Sequence, residues 1–262
     1  MPGTTGTSLR RGIAVLLALA SDDARAGGLG VTRIAALTGH EKSQISRTLK
    51  TLAELGLVDR DPSTLAYRLG WQLFALASHA GDQPLLAAAS PLLDRLVSGL
   101  GEGAHLSVLQ GTDVLTVLSK SSERAVRAVG WVGHTVPAYC TSSGRALLLD
   151  HSIEDLKVLW PGRRFDRAGP RSPSHLAELH ERIEVARALG YSVADEELEQ
   201  GLVGVAAPVR DLRGRIVAAI DVSAPKFRLA DTLDDAARKV RAAADELSHI
   251  VDWNTARGEG TA

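Results

Sequence analysis

Apolar residues recur at helical spacing at the start of the chain, and they predict three short helices followed by two strands. A glycine turn separates the first two helices, whose approximate ranges are 8–20 and 31–38, and the third helix covers about 42–55. In the second helix, Thr32 is predicted as the N-cap and Gly39 as the residue that ends it. The segments "LVDRD" and "LAYRLG" then surround a Pro-Ser turn, which is typical of two short paired strands.

The third helix has two distinct faces. On a helix of about 100° per residue, its apolar residues fall within about 60° of one another, namely Ile45, Leu49 and Leu52. A polar cluster lies roughly 100° away and comprises Gln44, Arg47, Thr48 and Thr51. Arg and Gln side chains can pair with the edges of guanine and adenine. Taken alone, however, such a face is more often ordinary solvated surface.

The elements on either side of the third helix favour a DNA-binding face over ordinary solvated surface. Two short helices with a glycine in the turn, followed by a two-stranded wing, are typical of a winged helix-turn-helix that binds double-stranded DNA. Cations and backbone N–H groups at a helix start favour phosphate, whereas the middle of the third helix would read bases. The predicted DNA-binding residues are Thr32, Arg33, Lys42, Ser43, Gln44, Arg47, Thr48, Arg60 and Arg68.

Beyond residue 70 the pattern is helical to about residue 100 and then alternates in the manner of strands. "AHLSVLQ" and "VLTVLSK" flank a Gly-Thr-Asp turn, and "AVRAVGWVG" is a third candidate strand. Helices are predicted at about 142–150, 153–159, 174–189 and 230–253, and the strands "GVAAPVRD" and "RIVAAIDVS" precede the last of these. This order predicts an α+β domain with an antiparallel sheet.

Composition sets limits on the class of protein. A chain of 262 residues suggests two domains. The net charge of −1 gives no global argument for nucleic acid, although residues 1–68 hold nine Lys and Arg against six Asp and Glu. The single cysteine, Cys140, excludes an internal disulfide framework and favours a reducing compartment. The apolar run at 13–20 is short and is followed by Ser-Asp-Asp, so we expect a cytoplasmic protein with no membrane partner.

The chain lacks the usual sequence motifs of an enzyme. It has no Walker phosphate loop, no G-x-G-x-x-G after a strand and no G-x-S-x-G elbow. Glu196 and Glu197 are adjacent and point apart, so we expect solvated carboxylates and not an acid/base pair. His175 and His180 are five residues apart, which is the wrong spacing for two metal ligands on one helix face. We therefore predict no catalytic residue, no cofactor and no metal.

Several segments match a known family in their order and spacing. They are "RGIAVLLALA", "TRIAALTGHEKSQISRTLKTLAELGLVDRD", "YRLG", "HLSVLQG", "VPAYCTSSGRALL" and "GYSVADEELEQGLVGVAAPVRDLRGRIVAAIDVSAP". In these segments the sequence resembles the IclR-type bacterial transcriptional regulators over nearly its whole length. The resemblance implies a winged helix-turn-helix domain at 1–69, a linker helix at 70–83 and a GAF-like effector-binding domain at 84–262. It also implies a homodimer or homotetramer that binds a palindromic operator.

The resemblance places the effector pocket at "CTSSGRALL", where backbone N–H groups of Ser142 and Ser143 would face a carboxylate. It adds Leu202, Gly204, Asp221 and Ser223 to the pocket. Trp131 and Tyr139 are further candidates for its walls, although core packing explains each of them as well. Many relatives have an acidic residue where this chain has Ala194, which weakens any assignment of Asp195 to the ligand.

Asp221 is the most informative of these residues, because many relatives have a small neutral or hydroxyl residue in its place. An ionised carboxylate in a pocket is costly unless it meets a donor or a cation. We therefore expect an effector with a hydrogen-bond donor, such as a hydroxyl, an amide N–H or an amine. The alternative is an internal ion pair with an arginine such as Arg127.

Together these patterns predict a ligand-responsive transcriptional regulator, in particular a repressor of a catabolic operon. A small organic effector, such as an aromatic acid, an amide or a hydrazide, would release it from DNA. The alternatives are an activator of the same family, a small-molecule enzyme whose N-terminal domain only oligomerises, and a sensor whose winged helix contacts protein. Salt-dependent binding to an operator would distinguish a DNA-binding protein from the last two.

Overall fold

The computed structural model describes residues 7–24, 27–77, 83–121, 132–162 and 164–258. The chain divides into two compact units, Met1–Gln83 and Pro84–Ala262. None of the described helices is long and apolar enough to cross a membrane.

The first unit is a helical bundle with a small hairpin. Its elements are α1 (Thr7–Ala20), α2 (Val31–Thr38), α3 (Lys42–Glu54), β1 (Val58–Arg60), β2 (Tyr67–Leu69) and α4 (Trp71–Ala77). The predicted apolar face of α3 is buried and packs with Val15, Leu19 and Ile34. Gly39 ends α2 in the left-handed conformation, at φ 66°, as predicted. The prediction for Thr32 was wrong, because α2 begins one residue earlier and Gly30 is its N-cap.

The second unit is an α+β domain, as predicted. Its strands are β3 (Gly103–Gln110), β4 (Asp113–Lys120), β5 (Thr135–Pro137), β6 (Ser192–Asp195), β7 (Leu202–Arg210) and β8 (Ile216–Pro225). They form one antiparallel sheet in the order β5-β4-β3-β8-β7-β6. The strand pattern at 192–195 was not recognised from the sequence. The candidate strand "AVRAVGWVG" begins in residues outside the described ranges.

Helices surround this sheet. They are α5 (Gln83–Leu100), α6 (Ser142–Leu147), α7 (Ile153–Leu159), α8 (Leu176–Leu189), α9 (Lys226–Leu229) and α10 (Leu233–Gly258). Because side chains alternate along a strand, the sheet has one apolar face, where Leu106, Val205 and Ile220 pack with α5 and α10. The opposite face carries small and polar side chains and is covered in part by α6.

Strand register brings the polar residues of that second face together. His105 on β3 pairs with Asp221 on β8, which pairs in turn with Ala206 on β7. Two residues along the strands, Gly204 pairs with Ser223. Residues two apart on a strand share a face, so these strands present one continuous patch of polar or small groups beneath α6.

Candidate functional site

The polar face of α3 is accessible in the first unit. Lys42, Ser43 and Arg47 are exposed, and Gln44 and Thr48 are half-buried. Thr48 Oγ1 donates to the Gln44 carbonyl at 3.0 Å, and Arg47 Nε donates to the Ser43 carbonyl at 3.3 Å. Neither Lys42 nor Arg47 forms an ion pair within the residues that the structure describes. No carboxylate of the described ranges therefore neutralises these two positive charges.

The other predicted DNA contacts lie in two places. Thr32 and Arg33 are exposed at the start of α2, where Arg33 forms an ion pair with Asp23. Arg60 and Arg68 are exposed on the paired wing strands, and the Arg60 guanidinium lies 5.6 Å from the centre of the Tyr67 ring.

The wing turn is held by one carboxylate. Asp61 accepts hydrogen bonds from the hydroxyl of Ser63 and from the backbone N–H groups of Ser63 and Thr64, at 2.6 to 3.0 Å. These donors, the Ser63 hydroxyl first, hold the pKa of Asp61 well below its usual value. The turn between the two wing strands is therefore ordered by its own side chains.

The second unit contains a cavity of about 530 Å³, open mouth included, between the polar face of the sheet, α6 and the β6–β7 loop. Its lining residues are His105, Ser107, Thr116, Val136, Cys140, Thr141, Ser142, Ser143, Ala194, Leu198, Leu202, Gly204, Asp221 and Ser223.

Two buried titratable groups lie on the sheet side of the cavity. Ser107 Oγ donates to Asp221 Oδ1 at 3.2 Å, and His105 Nδ1 lies 2.9 Å from Ser119 Oγ. Burial raises the pKa of Asp221 to about 7 and lowers the pKa of His105 to about 4. Near neutral pH the histidine is therefore uncharged, and the aspartate is poised between its two protonation states. Asp221 forms no ion pair among the described residues, and Arg127 lies outside them.

The opposite wall is the first turn of α6. Thr141 is the N-cap of this helix and accepts from the Gly144 N–H at 3.1 Å. Ser192 Oγ on β6 donates to the Ser142 carbonyl at 2.6 Å, which fixes the start of the helix to the sheet. A methyl group on Gly144 would lie 2.2 Å from the Ala138 carbonyl oxygen, so only glycine permits this close packing.

Most of the predicted effector contacts meet in this cavity. Ser142, Ser143, Leu202, Gly204, Asp221 and Ser223 all line it. Tyr139 does not: its ring stacks on Phe165 with centroids 4.4 Å apart, and its hydroxyl donates to the Asp166 carbonyl at 2.8 Å. The prediction of a pocket wall is corrected to core packing for this residue. Trp131 lies outside the described residues.

Sequence reasoning did not select the other eight lining residues: His105, Ser107, Thr116, Val136, Cys140, Thr141, Ala194 and Leu198. The polar alternation in "HLSVLQ" was the available signal for the first two, because polar groups that alternate in a buried strand face one side of the sheet. Cys140 also lines the cavity. It is fully buried, as expected for a packed thiol, and burial raises its pKa to about 12.

The expectation for the two adjacent glutamates was wrong. Glu197 is buried and forms ion pairs with Arg145 and Arg182. Glu196 is half-buried and lies 3.0 Å from Lys226 Nζ, which also contacts Asp195. The two carboxylates do point apart. Each forms an ion pair with a basic side chain, whereas solvation by water was expected.

No group of His, Cys, Asp and Glu suited to a metal ion occurs in the described part of the chain. His175 serves as the N-cap of α8, where Nδ1 accepts from the Glu178 N–H at 3.3 Å.

Comparison with protein families assigns both units. Residues 8–62 match the IclR helix-turn-helix domain, and residues 77–249 match the bacterial transcriptional regulator IclR C-terminal domain. The chain belongs to the IclR family. Its members among the relatives of this chain are transcriptional regulators and not enzymes, and the protein is a ligand-responsive, DNA-binding transcriptional regulator of this family.

Three similar proteins illustrate this family. The Pca regulon regulatory protein of Pseudomonas putida is 36% identical over 83% of this chain and 74% of its own length. The transcriptional repressor AllR of Salmonella typhimurium is 28% identical over 86% and 82%, respectively. An IclR homolog from Microbacterium hydrocarbonoxydans, solved in complex with 4-hydroxybenzoate, has a TM-score of 0.79 at 24% identity and covers 93% of this chain and 98% of its own. The last comparison shows a shared fold.

Proposed function

We propose that the protein is a repressor of a catabolic operon, acting in the cytoplasm as a homodimer or homotetramer on a palindromic operator. A small organic effector in the cavity of the second unit releases it from DNA. One observation carries this proposal: one chain of this family combines a helix with an exposed basic and polar face and a cavity with polar groups on two opposite walls.

The DNA contacts divide into two kinds. Gln44, Arg47 and Thr48 lie on one face of α3 and read base edges in the major groove. Phosphate contacts come from Lys42 and Ser43 at the helix start, from Thr32 and Arg33 on α2, and from Arg60 and Arg68 on the wing. The ion pair of Arg33 with Asp23 is exposed, so phosphate can replace the carboxylate at small cost.

The cavity favours an effector with an acceptor at one end and a donor at the other. Ser142 and Ser143 on α6 offer donors to a carboxylate, and Asp221 on the sheet offers an acceptor to a hydroxyl or an N–H. A second carboxylate beside Asp221 would be costly, because two buried like charges repel. A small aromatic acid, amide or hydrazide with such a donor meets these requirements. The 4-hydroxybenzoate complex of the Microbacterium homolog supports this class of effector.

Release follows from differential binding. An effector that binds one conformation of the protein more tightly shifts the population towards it, by as much as the two affinities differ. A dimer reads two half-sites on successive turns of DNA, so a change in the separation of its two α3 helices lowers operator affinity.

Two experiments test this proposal. Fluorescence anisotropy with DNA from upstream of the gene should show specific binding that weakens steeply with salt. A protein that binds none of this DNA at low salt would not be a DNA-binding regulator. In a thermal-shift screen of small aromatic and aliphatic acids, amides and hydrazides, an effector should raise the melting temperature, because it binds only the native state.

A reporter gene under the same promoter then separates repression from activation. Deletion of the regulator should raise expression if it represses, and addition of the effector to the wild-type strain should have the same effect. Lower expression after deletion would assign an activator.

A further inference from the structure

The loop between β6 and β7, residues 196–201, forms one wall of the cavity. Its Leu198 side chain lines the cavity, together with Ala194 before the loop and Leu202 after it. Leu198 also packs against the apolar cluster that includes Cys140 and Leu147. A ligand in the cavity is therefore in contact with this loop as well as with the sheet and α6.

Glu197 attaches this loop to two helices. Its buried carboxylate receives a hydrogen bond from Arg145 on α6, and Arg182 Nη1 on α8 lies 2.8 Å from Oε2. Its backbone carbonyl accepts from the Gly169 N–H at 2.9 Å and from the Ser172 hydroxyl. The carboxylate and the backbone carbonyl of this residue thus have partners on three other segments: α6, α8 and residues 169–172.

Arg145 connects the loop to the opposite wall. It lies almost one helical turn after Ser142, on the same short helix, and its guanidinium also donates to the Val193 carbonyl on β6. The side chains of Arg145 and Glu197 are 4% and 7% exposed, so neither charge can exchange its partner for water without movement of the loop. Breaking a buried pair by removal of one partner is strongly unfavourable.

The remaining ion pairs of the loop are more exposed. Lys226 contacts Glu196 and Asp195 at 2.8 to 3.0 Å, and Arg171 contacts Asp195, with Lys226 and Arg171 side chains 37% and 58% exposed. Exposed ion pairs contribute little because water screens them. Among the ion pairs that attach the loop, the buried pairs of Glu197 therefore contribute the most.

We propose that residues 196–201 form a lid over the cavity, and that Glu197 is the positioning residue that locks this lid to α6 through Arg145 and to α8 through Arg182. Opening of the lid widens access to the cavity, and closure joins the α6 wall and the lid into one unit around a ligand. This inference rests on the proposed effector site. Its test, however, needs neither effector nor DNA.

Cys140 provides a reporter of lid opening. It is the only cysteine of the chain, it is fully buried, and it lines the cavity beside the lid. A small uncharged thiol reagent, methyl methanethiosulfonate, can reach it only when the cavity opens or the domain unfolds. Mass spectrometry of the full-length protein then gives the rate of modification at a fixed pH. Because the Glu197 carboxylate, in addition to burial, raises the pKa of this thiol, hydrogen–deuterium exchange of the amides of residues 196–201 is measured beside it. Lid opening requires that both rates rise.

Glu197→Gln should accelerate modification of Cys140 by about tenfold or more, because it removes the negative charge that pairs with both arginines. Glu199→Gln is the matched control: Glu199 is an exposed residue of the same lid, and the substitution makes the same change of charge. This control should react at the wild-type rate. Arg182→Gln leaves Arg145 in place and should give an intermediate acceleration, which keeps the test available if Glu197→Gln does not fold.

Low concentrations of urea separate lid opening from global unfolding. Opening of a small loop exposes little surface, so the accelerated rate should depend weakly on urea, whereas modification through global unfolding rises steeply. An unchanged rate in both variants, or an acceleration with the steep urea dependence of unfolding, would overturn the proposal. These measurements contain neither effector nor operator DNA. The lid proposal can therefore fail while the proposed function holds, and the reverse is also true.

Discussion

Gly204 on β7 faces Ser142 on α6 so closely that a methyl group at position 204 would lie 2.7 Å from the Ser142 hydroxyl oxygen. The same methyl group would lie 3.7 Å from Cβ of Ser223. All three residues line the cavity. Because Gly204 has no side chain, α6 can approach the sheet closely at this point, and the cavity beside it stays open.

Gly204→Ala should reduce binding of the effector. The added methyl group must displace the Ser142 side chain or the start of α6, both of which line the cavity, so affinity should fall by about tenfold. Isothermal titration with the most stabilising ligand from the screen measures this loss. Gly99→Ala adds the same methyl group on α5, where it meets only the end of Lys239 at 4.0 Å, and should bind normally. Equal affinity of the two variants would show that the ligand lies elsewhere.

Local pattern was sufficient to predict most elements of the fold. The spacing of Ile45, Leu49 and Leu52 predicts α3, and the alternation around the turn at Gly111 predicts the β3–β4 hairpin. These signals are local because helix and strand periodicity are properties of a few consecutive residues. The strand β6 has only four residues, which give too little alternation to recognise without a marked turn such as the Pro-Ser turn between β1 and β2.

The site was harder to predict because long-range register assembles it. His105 and Ser107 join Asp221 only through the pairing of β3 with β8, more than 110 residues apart along the chain. Glu197 was expected in solvent because its partner Arg145 is 52 residues away. The family resemblance indicated Ser142, Gly204 and Asp221, whereas residue patterns alone gave no reason to bring them together.

Asp221 should make the stability of the protein depend on pH. Its pKa is about 7 in the folded chain and near 3.8 when unfolded, so between these values the folded chain retains a proton that the unfolded chain has lost. Stability contributed by this group is therefore full below about pH 4 and falls as pH rises to about 7. Asp221→Asn has no carboxyl group to titrate, so it should be more stable than wild type by roughly 4 kcal/mol at pH 8.

Urea unfolding at several pH values measures this difference. The two proteins should converge in stability near pH 4, and the gap should open as pH rises. Asp231→Asn, which changes an exposed carboxylate of the same unit, should keep the wild-type profile. A constant gap for Asp221→Asn across this range would show that its carboxyl titrates normally.

The N-cap of α6 should matter for the effector as well as for stability. Thr141→Val keeps the shape of the side chain but removes the hydroxyl that accepts from the Gly144 N–H, at a cost of about 1 kcal/mol. Ser152→Ala removes the corresponding cap of α7, which does not line the cavity. Both variants should have a lower melting temperature than wild type, but only Thr141→Val should bind the effector more weakly. A similar loss of affinity in both would indicate a general effect of stability.

Arg47 should contribute sequence recognition, and Lys50 should not. Both are exposed cations of α3, but Arg47 lies on the polar face with Gln44 and Thr48, whereas Lys50 lies on another side and is 4.0 Å from Glu54. Arg47→Ala should weaken specific operator binding by about 1–3 kcal/mol if it pairs with a base, and should reduce the preference for the operator over unrelated DNA. Lys50→Ala should leave that preference unchanged. If Arg47→Ala weakens binding to operator and to unrelated DNA equally, Arg47 contacts phosphate, and base reading must come from the other residues of this face.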